Sequence, residues 1–233
     1  MPFNFSISLK ENLNILNLAN LTNECIKKIF LNKLKIKNFR NHKSFEIDLK
    51  EQRTIVLGSN GQLGKEFFSN NEFNLQFNVQ YFDKSSLDIT DDNALVSTLN
   101  EINPCAVINC AAYTKVDNAE NEKDLAIEIN SDAVKYLAEL SKKKDFVLIH
   151  FSTDYVFNGK SIKPINEKED KDPVNFYGMT KHLGEKNIIE SSEKFLIFRV
   201  SWVYSHFGKN FPKTIIKLSK EKDSLKIVDD QVG

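Results

Sequence analysis

The chain has 233 residues, of which 41% are hydrophobic, and its 32 basic side chains balance its 32 acidic ones. This length and composition are typical of a globular protein with one good core and a small appendage. The formal net charge of zero at pH 7 gives no overall attraction to nucleic acid or to acidic membranes, which argues against both as partners.

The cysteine spacing, together with the lack of a long apolar run or a signal peptide, favours a location in the reducing cytoplasm. The three cysteines are widely spaced and lack CxxC spacing, so they indicate neither a disulfide framework nor a zinc site: Cys25, Cys105 and Cys110. No apolar run reaches the length of a membrane span, and the N-terminus lacks the basic-then-apolar order of a signal peptide. The four histidines have no metal-ligand spacing, and we interpret them as structural or surface residues: His42, His150, His182 and His206. No metal is expected.

Residues 1–52 are predicted to form an N-terminal appendage to the rest of the chain. Residues 1–26 are rich in asparagine and leucine with weak periodicity, which favours a marginal helix or a loose tail. Alternating apolar side chains from Leu34 to Leu49 predict a two-stranded hairpin. We expect a second domain over residues 53–233.

This second part alternates apolar runs with amphipathic stretches. The predicted strands are Thr54 to Leu57, Asn78 to Asp83, Ala106 to Asn109, Phe146 to Phe151, Phe195 to Val200 and, further on, Leu225 to Val228. Helical patterns cover Asp91 to Ile102 and Asn121 to Lys142. The continuous apolar runs FVLIHF and FLIFRV are typical of strands buried on both faces. The fold class is therefore α/β, a doubly wound parallel sheet of the Rossmann type, with ligands at the carboxyl ends of the strands.

A glycine-rich turn follows the first of these strands. Gly58, Gly61 and Gly64 form GxxGxxG between an apolar strand and a charged helical start. Glycines let the backbone approach phosphates, and a helix N-terminus offers free N–H groups, which favours a dinucleotide pyrophosphate site. A plain strand-to-helix turn remains an alternative. A Walker loop fits less well, because Glu66 follows Lys65 where a hydroxyl should hold magnesium.

Tyr177 and Lys181 are the candidate catalytic pair. Their i, i+4 spacing on a predicted helix places both side chains on one face. An ammonium group beside a phenol favours the phenolate, so we expect the pKa of Tyr177 to fall below its ordinary value of about 10. Thr153, on the loop that follows a predicted core strand, is positioned to polarise a substrate carbonyl. A chance YxxxK match is the alternative.

Six segments carry a family resemblance in the right order: GSNGQLG, LDITD, NCAAYTKVDNAE, HFSTDYVFNG, NFYGMTKHLGE and FRVSWVYSHFGKNF. Over residues 53–233 the chain resembles the dTDP-4-dehydrorhamnose reductases among the extended short-chain dehydrogenase/reductases. The resemblance implies reduction of dTDP-6-deoxy-L-lyxo-4-hexulose to dTDP-L-rhamnose, a precursor of cell-envelope polysaccharide. The implied cofactor is NADP(H) or NAD(H), and the implied partner is a dTDP-sugar.

The resemblance also implies roles for individual residues. Tyr177 would protonate the new hydroxyl, Lys181 would hold the nicotinamide ribose and lower the tyrosine pKa, and Thr153 would polarise the carbonyl. The cofactor would contact a further set of residues: Gly58, Gly61, Gln62, Leu63, Gly64, Asp88, Ile89, Ala111 and Ala112. Asp154 and Trp202 match substrate-contacting positions, with a loop cap and a core residue as the respective alternatives.

The sequence is compatible with either coenzyme. Asp83, at the end of the second strand, could accept the ribose 2′-hydroxyl of NAD, whereas the adjacent Lys84 could meet the 2′-phosphate of NADP.

Two departures from the family pattern keep other functions open. The sequence ends at Gly233, where family members continue, so we expect the C-terminal substrate region to be missing and turnover to be impaired. Residues 27–50 resemble the opening strands of RecF-type ATPases. The alternatives are therefore a non-catalytic dinucleotide-binding fusion or pseudogene product and a DNA-repair ATPase-related module. The sequence leaves a homodimer open.

Overall fold

The computed structural model describes residues 53–161, 163–221 and 224, together with the backbone of three stretches at 15–19, 33–39 and 42–48. Those three stretches are strands β1 (Ile15–Ala19), β2 (Lys33–Phe39) and β3 (His42–Asp48). The following strands are β4 (Arg53–Leu57), β5 (Asn78–Phe82), β6 (Ala106–Asn109), β7 (Val147–Thr153) and β8 (Phe195–Ser201).

Helices connect the strands from β4 onward. They are α1 (Gln62–Ser69), α2 (Asn71–Gln76), α3 (Asp92–Ile102), α4 (Lys123–Ile127), α5 (Ala133–Lys144), α6 (Phe176–Ser191) and α7 (Phe211–Leu218). A π-helical turn, Glu128–Asp132, joins α4 to α5, and a 3₁₀ turn, Asp154–Val156, follows β7. Among the described residues, no helix is long and apolar enough to cross a membrane.

The main sheet has the strand order β1-β8-β7-β6-β4-β5, with every pairing parallel. The chain starts this α/β unit in β4, moves outward to β5 and then crosses to β6 on the other side of β4. The chain order reverses between the neighbouring strands β4 and β6, which makes this position the topological switch point. Open α/β sheets bind ligands there, at the carboxyl ends of their strands. The predicted doubly wound α/β class is confirmed.

The core explains why the apolar runs form strands. The strand residues at the centre of the sheet are each at most 1% exposed: Ile55, Val56, Val107, Leu148 and Ile197. This burial is expected for strands covered by helices on both faces.

Polar side chains cap the starts of two helices. Asp91 accepts a hydrogen bond from the backbone N–H of Ala94 at the start of α3, and Asn175 accepts from Gly178 at the start of α6.

The structure corrects two expectations about the elements. Thr153 is the last residue of β7 and not a loop residue, because backbone pairing with Val200 of β8 extends the strand beyond its apolar run. Residues 15–19, expected to be helix or loose tail, form β1, because the free edge of β8 provides parallel backbone pairing.

Two other predicted elements can be compared with the structure. β2 and β3 pair antiparallel where the alternating pattern predicted a hairpin. The strand predicted at Leu225 to Val228 lies outside the described residues.

A buried ion pair ties helix α6 to strand β8. Arg199 donates to both carboxylate oxygens of Glu185, from Nε at 2.8 Å and from Nη2 at 2.6 Å. The side chains are 0% and 2% exposed, so each charge depends on the other for compensation. The pair fixes the helix that carries Tyr177 and Lys181 onto the sheet.

Candidate active site

The glycine turn lies at the topological switch point and leaves no room for side chains at two positions. Gly58 has φ +71°, and a Cβ there would lie 2.5 Å from the backbone N of Ala111, which follows β6. A Cβ on Gly64 would lie 2.4 Å from the carbonyl oxygen of Gly58. Glycine at both positions lets the turn contact the end of the neighbouring strand and the first turn of α1.

The N-terminus of α1 faces this turn without a side-chain cap. Gly61 occupies the N-cap position, and the first turn of the helix contains no acidic residue. The Gly61 N–H donates to the Gly58 carbonyl at 3.0 Å, which closes the turn. Uncapped N–H groups at a helix N-terminus, together with the helix dipole, favour an anionic ligand.

Tyr177 lies close to the end of β7, beside Thr153. A side-chain hydrogen bond links the two residues, and Thr153 Oγ1 also donates to Asp154 Oδ1 at 3.0 Å and accepts from the Tyr155 N–H at 3.2 Å. The Tyr177 ring packs edge-on against Tyr155, with ring centroids 5.9 Å apart. The fold therefore brings together Thr153 and Tyr177, two of the residues predicted to be catalytic.

The pKa of Tyr177 corrects a sequence-based expectation. Burial raises it to about 12, while the hydrogen bond with Thr153 lowers it and the charge of Asp154 raises it further. Lys181, expected to favour the phenolate, instead donates from Nζ to the Phe151 carbonyl at 2.7 Å. Because burial has the largest effect on this pKa, the phenol keeps its proton at neutral pH.

Lys181 is buried in an unusual environment for a charged group. It is 1% exposed, and burial lowers its pKa to about 8, while the carboxylate of Glu185 acts in the opposite direction. Its Nζ lies 3.1 Å from Nε2 of His150, which is fully buried in β7.

Sequence reasoning assigned no function to His150. One signal was available, because a histidine inside an apolar strand must find a polar partner.

The residues expected near the adenosine end of a cofactor divide into exposed and buried ones. Asp83 is held in a turn, where Oδ1 accepts from the side chain of Ser85 at 2.7 Å and from the backbone of Ser86 at 3.0 Å. These hydrogen bonds lower the pKa of Asp83. Lys84, 74% exposed, pairs with Asp88 at 3.3 Å. Ile89 is 5% exposed and belongs to the core.

Other expected cofactor residues surround the glycine turn. Ala111 and Ala112 are half-buried beyond β6, and Ala111 lies against Gly58. Leu63 packs partly against the core. Gln62, the first residue of α1, accepts a hydrogen bond from Asn210 at 2.9 Å and thus links the turn to the segment before α7.

The two expected substrate residues follow two neighbouring strands, β7 and β8, at their carboxyl ends. Asp154 begins the 3₁₀ turn after β7, and burial raises its pKa. It is not the cap of that turn, because Thr153 takes that position. Trp202 follows β8 with φ +52° and is 44% exposed, so it is not the core residue that the alternative required. Its ring packs edge-on against Phe211 at 5.7 Å.

Known proteins resemble this chain from the start of β4 onward. The family model described as the RmlD substrate binding domain matches residues 52–233. A dTDP-4-dehydrorhamnose reductase from Aggregatibacter actinomycetemcomitans is 38% identical over 181 residues, which are 78% of this chain and 62% of that protein.

Two solved structures agree in fold and sequence. A dTDP-4-dehydrorhamnose reductase from Bacillus anthracis, in complex with NADP, is 41% identical with a TM-score of 0.71, covering 74% of this chain and 61% of that one. A dTDP-4-dehydrorhamnose reductase from Clostridium acetobutylicum is 40% identical with a TM-score of 0.72, covering 78% of this chain and 64% of that one. This chain thus spans between 61% and 64% of the length of these three relatives. The match over residues 52–233 shows that the chain belongs to the RmlD substrate-binding domain family.

Proposed function

We propose that the chain binds NADP(H), or NAD(H), at the glycine turn and reduces the 4-keto group of dTDP-4-dehydro-6-deoxy-L-mannose to give dTDP-L-rhamnose. The observation that carries this proposal is the meeting of Tyr177 with Thr153 at the carboxyl end of β7, where Lys181 also donates to the Phe151 carbonyl. The neighbouring strand β6 leads into Ala111, which lies against the turn of Gly58. Relatives named dTDP-4-dehydrorhamnose reductase support the substrate. An NADP complex of one of them supports the coenzyme.

The turn has the features that a pyrophosphate requires. Two of its positions admit no Cβ, and the N-terminus of α1 is uncapped and free of carboxylates. We assign the pyrophosphate to Gly58, Gly61, Gln62, Leu63 and Gly64. The nearby adenosine and ring-side contacts are assigned to a second group: Asp83, Lys84, Asp88, Ile89, Ala111 and Ala112. Ile89 contributes from its backbone in this assignment, because its side chain is buried in the core.

Tyr177 acts as the general acid in the proposed reaction. Nicotinamide, when bound, supplies the hydride that the carbonyl carbon receives. The carbonyl oxygen then needs one proton, and a phenol with a pKa of about 12 holds that proton at neutral pH. Thr153, which donates its one hydroxyl proton to Asp154 in the structure, turns it to the same oxygen and stabilises the developing negative charge there.

Lys181 and the substrate residues complete the proposed site. The lysine ammonium holds the nicotinamide ribose and favours the tyrosinate left after proton transfer. Asp154 and Trp202 contact the dTDP-sugar, and the exposed indole of Trp202 offers a flat apolar surface to it. We assign the reaction to the cytoplasm, since the cysteines show no disulfide spacing.

Coenzyme binding is the first test. NADPH and NADH are each added to the chain, and the melting temperature is followed, with ATP and magnesium as the control. We expect a concentration-dependent rise with a nicotinamide coenzyme and none with ATP. A response to ATP and magnesium alone would instead support an ATPase-related module.

Turnover is the second test, followed by loss of NADPH absorbance with the 4-keto dTDP-sugar. We expect Tyr177→Phe to lower the rate by about 10²- to 10⁴-fold, the typical contribution of a general acid, with coenzyme affinity kept. Tyr155→Phe is the matched control, because Tyr155 contacts the Tyr177 ring from an exposed position. Equal rates for Tyr177→Phe and the wild type would refute the acid assignment. Coenzyme binding without turnover in the wild type would support a non-catalytic dinucleotide-binding protein.

A further inference from the structure

A buried chain of polar groups runs behind the proposed catalytic pair. His150 in β7 lies directly across from Asn109 in β6, and both are at most 1% exposed. Nδ1 of His150 is 3.3 Å from Nδ2 of Asn109, and Nε2 is 3.1 Å from Nζ of Lys181. The other contact of Nζ is the Phe151 carbonyl at 2.7 Å. The proposed reaction gives His150 no role.

The orientation of the Asn109 amide is fixed by the backbone. Its Oδ1 accepts from the N–H of Ala111 at 3.0 Å, so its Nδ2 points toward His150 as a donor. Ala111 is also the residue that lies against Gly58. One continuous set of contacts therefore connects the glycine turn, through Ala111, Asn109 and His150, to Lys181.

A count of protons shows that this chain cannot satisfy every contact when Lys181 is charged. A neutral imidazole carries one N–H and one acceptor nitrogen. If Nδ1 accepts from Asn109, then Nε2 carries the proton and faces an ammonium group that can only donate. The conflict ends in two ways. Either Lys181 is an amine and accepts from Nε2–H, or the ring proton lies on Nδ1 and the bond from Asn109 is lost.

We propose that His150 is a positioning residue for Lys181, and that the protonation state of Lys181 and the ring tautomer of His150 change together. Its catalytic consequence rests on the proposed function, in which Lys181 holds the coenzyme. His150 and the Phe151 carbonyl fix Nζ from two sides. Asn109 takes part only when Lys181 is an amine, because only then is the hydrogen bond from Asn109 to Nδ1 kept.

The surrounding charges determine the direction of the change. Burial, followed by the charge of Lys181, lowers the pKa of His150 well below its ordinary value, so the ring stays neutral. Glu185 is the charged group that acts on Lys181, and it is bound to Arg199 from β8. Asn109 from β6 is uncharged. Since the lysine pKa is about 8, we expect the ring proton on Nδ1 below that pH and on Nε2 above it.

Long-range ¹H–¹⁵N spectra of histidine-labelled protein test the tautomer directly, from pH 6 to pH 10. The His150 signals are assigned by their loss in His150→Gln. We expect the wild type to change tautomer with a midpoint near pH 8 and Lys181→Met to keep one tautomer throughout. A constant tautomer in the wild type, or an unchanged transition in Lys181→Met, would overturn the proposal.

Coenzyme affinity tests the positioning role. We expect His150→Phe to weaken NADPH binding about tenfold, the value of one hydrogen bond to a charged group, and His150→Gln to restore most of it. His182→Gln is the control. His182 lies on α6 next to Lys181, but its Nδ1 has no hydrogen-bond partner and it takes no part in the contacts between Asn109, His150 and Lys181. Equal affinities for His150→Phe and the wild type would overturn the positioning role.

The two proposals fail separately. The tautomer measurement needs no coenzyme, so a wild type that binds no NADPH removes the proposed function without deciding the coupling. A wild type that binds NADPH with a constant His150 tautomer removes only the coupling.

Discussion

Replacement of Gly58 by alanine tests whether the glycine turn is built by close approach or only by its backbone angle. Gly58 has φ +71°, and a left-handed conformation costs a non-glycine residue about 1–2 kcal/mol. An added Cβ would also lie 2.5 Å from the N and 2.7 Å from the Cα of Ala111. These are backbone atoms of the neighbouring strand end, so relief requires the turn and that strand end to move apart, and overpacking of this kind costs about 1–3 kcal/mol more.

Gly159 provides a matched control for the backbone term. Its φ is +69°, and a Cβ there would meet nothing within 4 Å. The two alanine variants therefore share the conformational cost and differ in the clash. Urea unfolding followed by circular dichroism should show a free energy of unfolding for Gly58→Ala that is about 1–3 kcal/mol below that of Gly159→Ala. Equal losses would show that Gly58 and Ala111 are not in close contact, and the geometry of the proposed pyrophosphate site would be wrong.

Three further predictions concern the ion pair, the buried lysine and the exposed indole. Glu185→Gln leaves the buried guanidinium of Arg199 without its countercharge and should lower the free energy of unfolding by about 3–5 kcal/mol. Adding Arg199→Met should recover most of this loss. A loss below about 1 kcal/mol in Glu185→Gln would contradict this reasoning. Burial lowers the pKa of Lys181 to about 8, so between that pH and about 10.4 the unfolded chain binds more protons than the folded chain. The free energy of unfolding of the wild type relative to Lys181→Met should therefore rise over this pH range by on the order of 3 kcal/mol. Free energies of unfolding that depend on pH in the same way in both proteins would exclude a lowered lysine pKa. Trp202 is the single tryptophan and is 44% exposed, so its fluorescence should change when dTDP binds and Trp202→Phe should show no such change; a constant wild-type signal at saturating dTDP would argue against contact with the nucleotide.

The sheet was predictable from sequence because burial on both faces produces unbroken apolar runs. Ala106 to Asn109 was predicted with its observed bounds. The end of β7 was not, because Ser152 and Thr153 are polar and continue the strand only through backbone pairing with β8. Such pairing is a tertiary contact without a local hydropathy signal. The same reason applies to β1, whose pairing with β8 depends on a free sheet edge.

The site was predictable as a set of residues more than as a set of charges. The i, i+4 spacing of Tyr177 and Lys181 correctly placed both on one helix. It gave no information on how deeply the fold buries them, and burial reverses the expected direction of the tyrosine pKa. The partnership of Lys181 with His150 spans 31 positions and forms only when α6 packs on β7.

The structure of the chain in complex with NADPH would test the central claim most directly. We expect the pyrophosphate against the turn of Gly58 to Gly64, and the nicotinamide within reach of the Tyr177 hydroxyl and Lys181 Nζ, at hydrogen-bonding distances of about 3 Å for the groups that the two side chains contact. A coenzyme bound elsewhere on the sheet, or a nicotinamide out of reach of Tyr177, would contradict the proposed function.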